Sequence, residues 1–144
     1  MNTLSLQRLG AALALGLAGY VHFKIWQNEY RHAPVREMFV ANWVASGLVV
    51  ILLIVVAVLP RLPKRYARIA ALAGLLVALG SLVAFGLSRG PGLPTLHGNF
   101  KEHGLETTAS YFFHVGSAKT ILVAETIAAI LCGGLIVQQE RLAG

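Results

Sequence analysis

The segment from Phe39 to Leu59 constrains the fold more than any other part of the sequence. Its 21 residues, FVANWVASGLVVILLIVVAVL, include no charged side chain. A helix rises about 1.5 Å per residue, so a run of this length covers the roughly 30 Å of hydrocarbon in a bilayer. The β-branched residues would suit a strand in water, but an open strand in lipid leaves backbone groups unpaired. The segment is therefore predicted to be a transmembrane helix.

Three other apolar segments have similar lengths. The four predicted spans cover about residues 9–26, 39–59, 69–87 and 116–137. Of the 144 residues, 56% are hydrophobic and 12% are charged, which is about half the charged share of soluble proteins. The sequence therefore predicts an all-α membrane protein, a single transmembrane domain built as an antiparallel four-helix bundle in contact with the lipid bilayer.

The first span has a second interpretation, as a secretory signal peptide. Arg8 is followed by the apolar run LGAALALGLAG, which resembles the basic start and apolar middle of such a peptide. However, the apolar character continues to Trp26, and Lys24 is long enough to reach the interface. A retained span is the favoured interpretation.

The short loop at residues 60–68, PRLPKRYAR, sets the predicted orientation. It carries four basic residues and no acidic one, so the positive-inside rule places it in the cytoplasm. Both termini then also lie in the cytoplasm, and the loops at residues 27–38 and 88–115 lie outside. The predicted location is a cell membrane, which the chain crosses four times.

Histidine and aromatic side chains concentrate on the predicted outer side. Of the twelve aromatic residues only Tyr66 falls at the inner surface. The loop at 88–115 is too long for a simple connection, and it opens with glycines and prolines. Its second part, from about residue 105, is predicted to extend the last helix outward. We expect the two outer loops to form a structured outer cap. All five histidines lie at or near it: His22, His32, His97, His103 and His114.

A first candidate site lies at the outer end of the first span. His22 and Trp26 are four residues apart, and either Glu29 or Tyr30 continues the same helical face. His114 is predicted at a similar depth at the start of the fourth span. Two histidines on different helices can hold a haem, copper or zinc. The alternative is a set of hydrogen-bonded interfacial histidines with no cofactor, which we expect in preference.

Glu125 is the second candidate, because it lies near the middle of the fourth span. An ionisable group at this depth costs on the order of 2.5 to 3.5 kcal/mol on insertion scales, so it should face protein and find a partner. One hypothesis is a proton or cation path between His114 and Glu125. The other is structural, with a protonated Glu125 that hydrogen-bonds Asn42, Ser46 or Ser81.

Small residues recur at four-residue spacing in several spans. The third span contains Ala70-x-x-x-Gly74-x-x-x-Ala78, and the fourth contains Ala129-x-x-x-Gly133. Such spacing lets helix backbones approach closely where lipid gives no hydrophobic drive for association. It predicts a compact bundle.

The sequence resembles a recurring pattern in small four-span membrane proteins of actinobacteria. The resemblance implies an inner-membrane location and brings no established activity, so no catalytic residue is carried over. A looser likeness to DoxX-type four-helix proteins concerns the fold alone, and a shared fold does not determine function. The residues that carry the main resemblance are Gly19, His22, Trp26, Tyr30, Arg31, Phe39, Asn42, Phe100, Glu102, Ala124 and Glu125.

Three functions are open at this point. The leading one is a non-enzymatic accessory or interaction subunit that docks to another membrane protein or to itself. The alternatives are a proton-coupled or small-solute transporter using Glu125 and His114, and a haem- or metal-binding redox protein using His22 and His114. The formal charge of +6 is spread between apolar runs and forms no basic face, which argues against nucleic acid. No nucleophile triad or phosphate-binding loop is recognisable, so an enzyme is not expected.

Overall fold

The chain forms a bundle of four long helices. The structure, a computed structural model, describes residues 3–27, 31, 35–59, 61–89, 91–95, 98–100 and 116–141. Within this part of the chain all four helices are long and apolar enough to cross a membrane. The predicted all-α bundle is confirmed, and the chain is a small integral membrane protein. The helices are α1 (Thr3–Ile25), α2 (Arg36–Val58), α3 (Lys64–Arg89) and α4 (Gly116–Arg141).

Several helix ends lie beyond the apolar runs that predicted them. α1 begins at Thr3 rather than near residue 9, and α4 ends at Arg141 rather than near residue 137. Hydropathy marks only the part of a helix that is compatible with hydrocarbon, whereas the backbone hydrogen bonds continue into the polar interface. The helices therefore reach past the lipid core at these ends.

Neighbouring helices run antiparallel and form a ring. α1 packs against α2 and α4, and α3 packs against the same two helices. The centre of the ring is filled with alanine and leucine side chains and Cys132. A Cβ atom added at Gly74 would lie 2.7 Å from Cys132 Sγ and 3.3 Å from Leu15 Cδ1. Gly74 thus occupies a place where α3 closely approaches α1 and α4, as a small residue must.

Two side chains at the start of α1 cap the C-terminal end of α2. The last carbonyl groups of a helix have no partner inside it. Ser5 Oγ donates a hydrogen bond to the carbonyl of Ala57 at 3.2 Å, and Arg8 Nη1 donates to that of Val56 at 3.0 Å. The arginine also places a positive charge at the negative end of the α2 dipole. The polar start of α1 therefore fixes the contact between these two helices.

A small hairpin lies in the loop between α3 and α4, and the sequence did not predict it. Strands β1 (Leu93–Thr95) and β2 (Gly98–Phe100) pair antiparallel, and Thr95 Oγ1 donates to the carbonyl of Gly98 at 2.7 Å. Gly92 and Gly98 adopt φ angles of 105° and 119°, which glycine tolerates best. This hairpin is part of the loop for which a structured outer cap is predicted. The predicted helical extension at 105–115 lies outside the described residues.

Candidate functional site

Three polar side chains from three helices meet inside the bundle. His22 comes from α1, Ser81 from α3 and Glu125 from α4. They are 8%, 8% and 1% exposed, respectively. His22 lies three residues before the end of its helix, so the cluster is closer to the hairpin end of the bundle than to the opposite end. Polar groups buried this deeply in an apolar bundle require partners.

Ser81 connects the two ionisable members of this cluster. His22 Nε2 lies 3.8 Å from Glu125 Oε1, a distance too long for a direct hydrogen bond. Ser81 Oγ lies 3.4 Å from His22 Nε2, and its hydroxyl is close enough to the Glu125 carboxyl group to lower the energy of its charged form. The hydroxyl has one hydrogen to donate and can accept as well. It can therefore donate to the imidazole while it accepts from the carboxyl group, or donate to the carboxyl group while it accepts from the imidazole.

The backbone determines which nitrogen of His22 faces the cluster. Nδ1 lies 2.9 Å from the carbonyl of Ala18. A carbonyl can only accept, so Nδ1 carries a hydrogen and Nε2 is the nitrogen left for Ser81 and Glu125. With neutral His22, Nε2 accepts a hydrogen bond, and with charged His22 it donates one. The pair can thus hold its proton as imidazolium and carboxylate or as imidazole and carboxylic acid.

Glu125 presents one oxygen that the cluster does not use. Oε2 is buried and has no hydrogen-bond partner among the described residues. Of the three partners predicted for this carboxyl group, Ser81 is the one that belongs to the cluster, whereas Ser46 Oγ donates to Asn42 Oδ1 at 3.4 Å on α2. A buried carboxylate oxygen without a partner costs free energy. Oε2 is therefore the oxygen of Glu125 at which a proton can bind.

α2 covers the cluster from the fourth side. The ring of Phe39 is 5.5 Å from that of His22, centroid to centroid. α2 approaches closely because a Cβ at Gly19 would lie only 2.8 Å from Ser46 Cβ. Of the groups described on α2 near the cluster, Phe39, Asn42 and Ser46, none is ionisable. Among the described residues of the cluster and of the face of α2 that covers it, the ionisable side chains are His22 and Glu125.

The rest of the core separates the cluster from the opposite end of the bundle. Leu15, Leu53 and Cys132 are fully buried there. The nearest charged residue on α1 toward that end is Arg8, fourteen positions before His22, or about 21 Å along the helix. In this conformation the shorter way for a proton to reach the pair is from the hairpin end.

The arrangement does not form a nucleophile-activating triad, although it contains serine, histidine and an acid. In such a triad the acid binds Nδ1 and the serine binds Nε2. Here Ser81 and Glu125 both face Nε2, and Nδ1 is held by Ala18. Ser81 is therefore suited to link the pair rather than to attack a substrate.

Of the other predicted site residues, the structure describes Trp26. Trp26 packs its ring 6.0 Å from that of Phe23, and its Nε1 is buried with no partner among the described residues. Glu29, Tyr30 and His114 lie outside the described residues, and so does the predicted pairing of His22 with His114. Over the part of the chain that the structure describes, no three metal-binding side chains of the His, Cys, Asp and Glu types lie together.

Sequence reasoning named Ser81 as one possible partner of Glu125, but it did not bring His22 to either of them. It offered His114 as a second ligand beside His22 and, alternatively, as the other end of a proton path to Glu125. The available signal was that His22 on α1 and Glu125 on α4 are ionisable residues inside apolar helices that both belong to one bundle.

Comparison with protein-family models, with curated proteins and with solved structures found no match to this chain. The fold and the buried cluster are therefore the basis for the function.

Proposed function

We propose that this small integral membrane protein is a transporter that moves protons across the membrane, with His22 and Glu125 together as its proton-binding site. The observation that carries the proposal is the 3.8 Å approach of His22 Nε2 to Glu125 Oε1 in the core, with Ser81 between them. Ionisable residues inside membrane spans are costly, and they commonly mark proton relays and substrate paths. His22 replaces His114 as the partner of Glu125 in this hypothesis, and any part played by His114 stays a prediction.

The chemistry requires only proton exchange at named atoms. In the resting pair a single proton is shared, so the pair has no net charge. A second proton on Glu125 Oε2 or His22 Nε2 gives an imidazolium beside a carboxylic acid. That net charge is costly in an apolar core, so it favours a conformation in which the apolar layer around Leu15 and Leu53 opens. Release of the proton restores the neutral pair and the closed packing.

The interaction-subunit hypothesis stays a prediction. Two glycines whose faces could have received a partner helix are used inside the bundle. A Cβ at Gly10 would lie 3.3 Å from Leu131, and one at Gly74 would meet Cys132. The outward apolar faces are the surfaces that lipid contacts, so they do not by themselves indicate a protein partner.

The redox alternative and the resemblance to actinobacterial four-span proteins also stay proposals. A haem or metal ion on His22 would have to bind Nε2, the nitrogen that faces Ser81 and Glu125. The resemblance rests on residues that include Gly19, His22 and Glu125, and it assigns them no activity.

Proton movement through reconstituted liposomes tests the proposal. Wild-type protein should dissipate an imposed pH gradient, read by an internal pH-sensitive dye with the voltage clamped by valinomycin and K⁺, faster than empty liposomes. Glu125→Gln should return the rate to the empty-liposome value. Glu140→Gln is the matched control, because Glu140 is an exposed carboxyl group that pairs with Arg68 at the opposite end. A wild type no faster than empty liposomes, or an unchanged Glu125→Gln variant, would refute the proposal.

A further inference from the structure

A groove runs along the surface of the bundle where α1 ends and α2 begins. Its volume is about 580 Å³, which falls within the usual range of ligand sites, about 300 to 1,000 Å³. It lies apart from the His22 cluster. The described residues that line it are Trp26, Arg31, Arg36, Glu37, Val40, Ala41 and Val44.

The floor of the groove is apolar and follows one face of α2. Val40, Ala41 and Val44 are spaced as neighbours on a helix surface, and Val44 is 40% exposed. This face belongs to a membrane-spanning helix, so hydrocarbon chains are its natural contact. The floor therefore favours a ligand with an acyl chain.

The mouth of the groove is basic. Arg31 and Arg36 lie there with Glu37, which forms an ion pair with Arg36. Two arginines and one glutamate leave a formal charge of +1 on the described lining (2 − 1). Guanidinium groups bind phosphate through paired hydrogen bonds. The mouth therefore favours an anionic phosphate group.

We propose that this groove binds a phospholipid with a net negative headgroup. The headgroup phosphate lies on Arg31 and Arg36, and one acyl chain lies along Val40, Ala41 and Val44. A free phosphate ion would use only the mouth and leave the floor without a role. The combination of charge at the interface and an apolar face leading into the membrane fits a lipid.

Trp26 provides a local reporter for the test. The chain has two tryptophans, Trp26 and Trp43, so Trp43→Phe leaves the groove tryptophan alone. Phenylalanine also preserves an aromatic ring opposite Phe23, whose ring lies 5.4 Å from that of Trp43. Lipids brominated in the acyl chain quench tryptophan only on contact. Full-length Trp43→Phe protein is reconstituted in phosphatidylcholine with a small fraction of brominated phosphatidylglycerol or brominated phosphatidylcholine.

The anionic lipid should quench Trp26 with an apparent affinity about fivefold above that of the neutral lipid at low ionic strength. High salt should reduce the preference, since exposed charges are screened. Arg31→Gln with Arg36→Gln should abolish it. Arg61→Gln with Arg65→Gln removes the same charge from the opposite end of the bundle and should leave it intact. Ala41→Phe, which fills the floor without a change in charge, should weaken quenching by the anionic lipid.

Two results would overturn the proposal. The first is equal quenching by the anionic and neutral lipids, or a preference that the Arg31→Gln and Arg36→Gln pair leaves unchanged. The second is full competition by millimolar inorganic phosphate, which would show that the mouth alone binds a free anion. Failure of the proton-flux experiment would not affect either result, because the groove shares no residue with the His22 cluster.

Discussion

His22 Nε2 on the first helix lies 3.8 Å from Glu125 Oε1 on the last. This contact ties α1 to α4 within the membrane, and Ser81 adds α3 to it. Removing one member of a buried pair leaves the other buried without a partner, which costs more than the pair contributes. We therefore expect the buried pair to affect the stability of the bundle as well as its proton binding.

The first prediction concerns the energetic coupling of this pair. His22→Ala and Glu125→Ala should each lower the free energy of unfolding by about 3 kcal/mol, because each leaves the other ionisable side chain buried without a partner. The double variant should lose less than the sum, with a coupling of about 0.5 to 3 kcal/mol. Reversible unfolding in mixed detergent micelles measures all four proteins. Strictly additive losses would show that the two side chains do not interact.

The second prediction concerns the close approach at Gly74. A Cβ there would lie 2.7 Å from Cys132 Sγ, so Gly74→Ala should destabilise the bundle by about 1 to 3 kcal/mol through overpacking. Cys132→Ala removes the opposing sulfur and should restore part of the loss in the double variant. A Cβ atom added at Gly80 would have no neighbouring atom of the described residues within 4 Å. Gly80→Ala is therefore the control and should be neutral or stabilising. The absence of rescue by Cys132→Ala would argue against this packing.

The third prediction concerns the contact between the start of α1 and the end of α2. Arg8→Met keeps most of the side-chain stem but removes the hydrogen bond to Val56 and the charge at the helix end. It should cost about 1 to 3 kcal/mol, as hydrogen bonds to charged groups do. Arg141→Met at an exposed position should cost much less. Equal melting temperatures for the two variants in mild detergent would contradict the assignment.

The fourth prediction concerns orientation, which rests on the basic loop alone. In a Cys132→Ala background, Pro91→Cys should react with a membrane-impermeant maleimide on intact cells, because the loop that contains the hairpin is predicted to lie outside. Arg61→Cys should react only after the membrane is opened. Both positions are exposed in the bundle. The reverse labelling pattern would invert the predicted topology.

The bundle itself was predictable because span length and hydropathy follow from the thickness of the bilayer. The uncharged run at Phe39 to Leu59 has no other stable structure in lipid. The short basic loop and the antiparallel order follow from the same pattern. These features depend on properties that are summed over many residues.

The site was not predictable in the same way, because it depends on the rotation and the axial stagger of each helix. Hydropathy does not report either quantity. The sequence offered His114 as a partner for His22 and for Glu125, and His114 lies outside the described residues. The contact between His22 and Glu125 was not predicted. The hairpin was not predicted because its strands have only three residues each. In addition, β1 contains Pro94, and a proline argues against a strand.

The central claim is that His22 and Glu125 form one proton-binding site, and infrared difference spectroscopy tests it most directly. The carboxylic acid C=O stretch of Glu125 can be isolated by subtracting the Glu125→Gln spectrum from that of the wild type across a pH titration. We predict a band that titrates, that is absent in Glu125→Gln, and whose pH dependence shifts when His22 is replaced by asparagine. A Glu125 band with the same pH dependence in the His22→Asn variant would contradict the account.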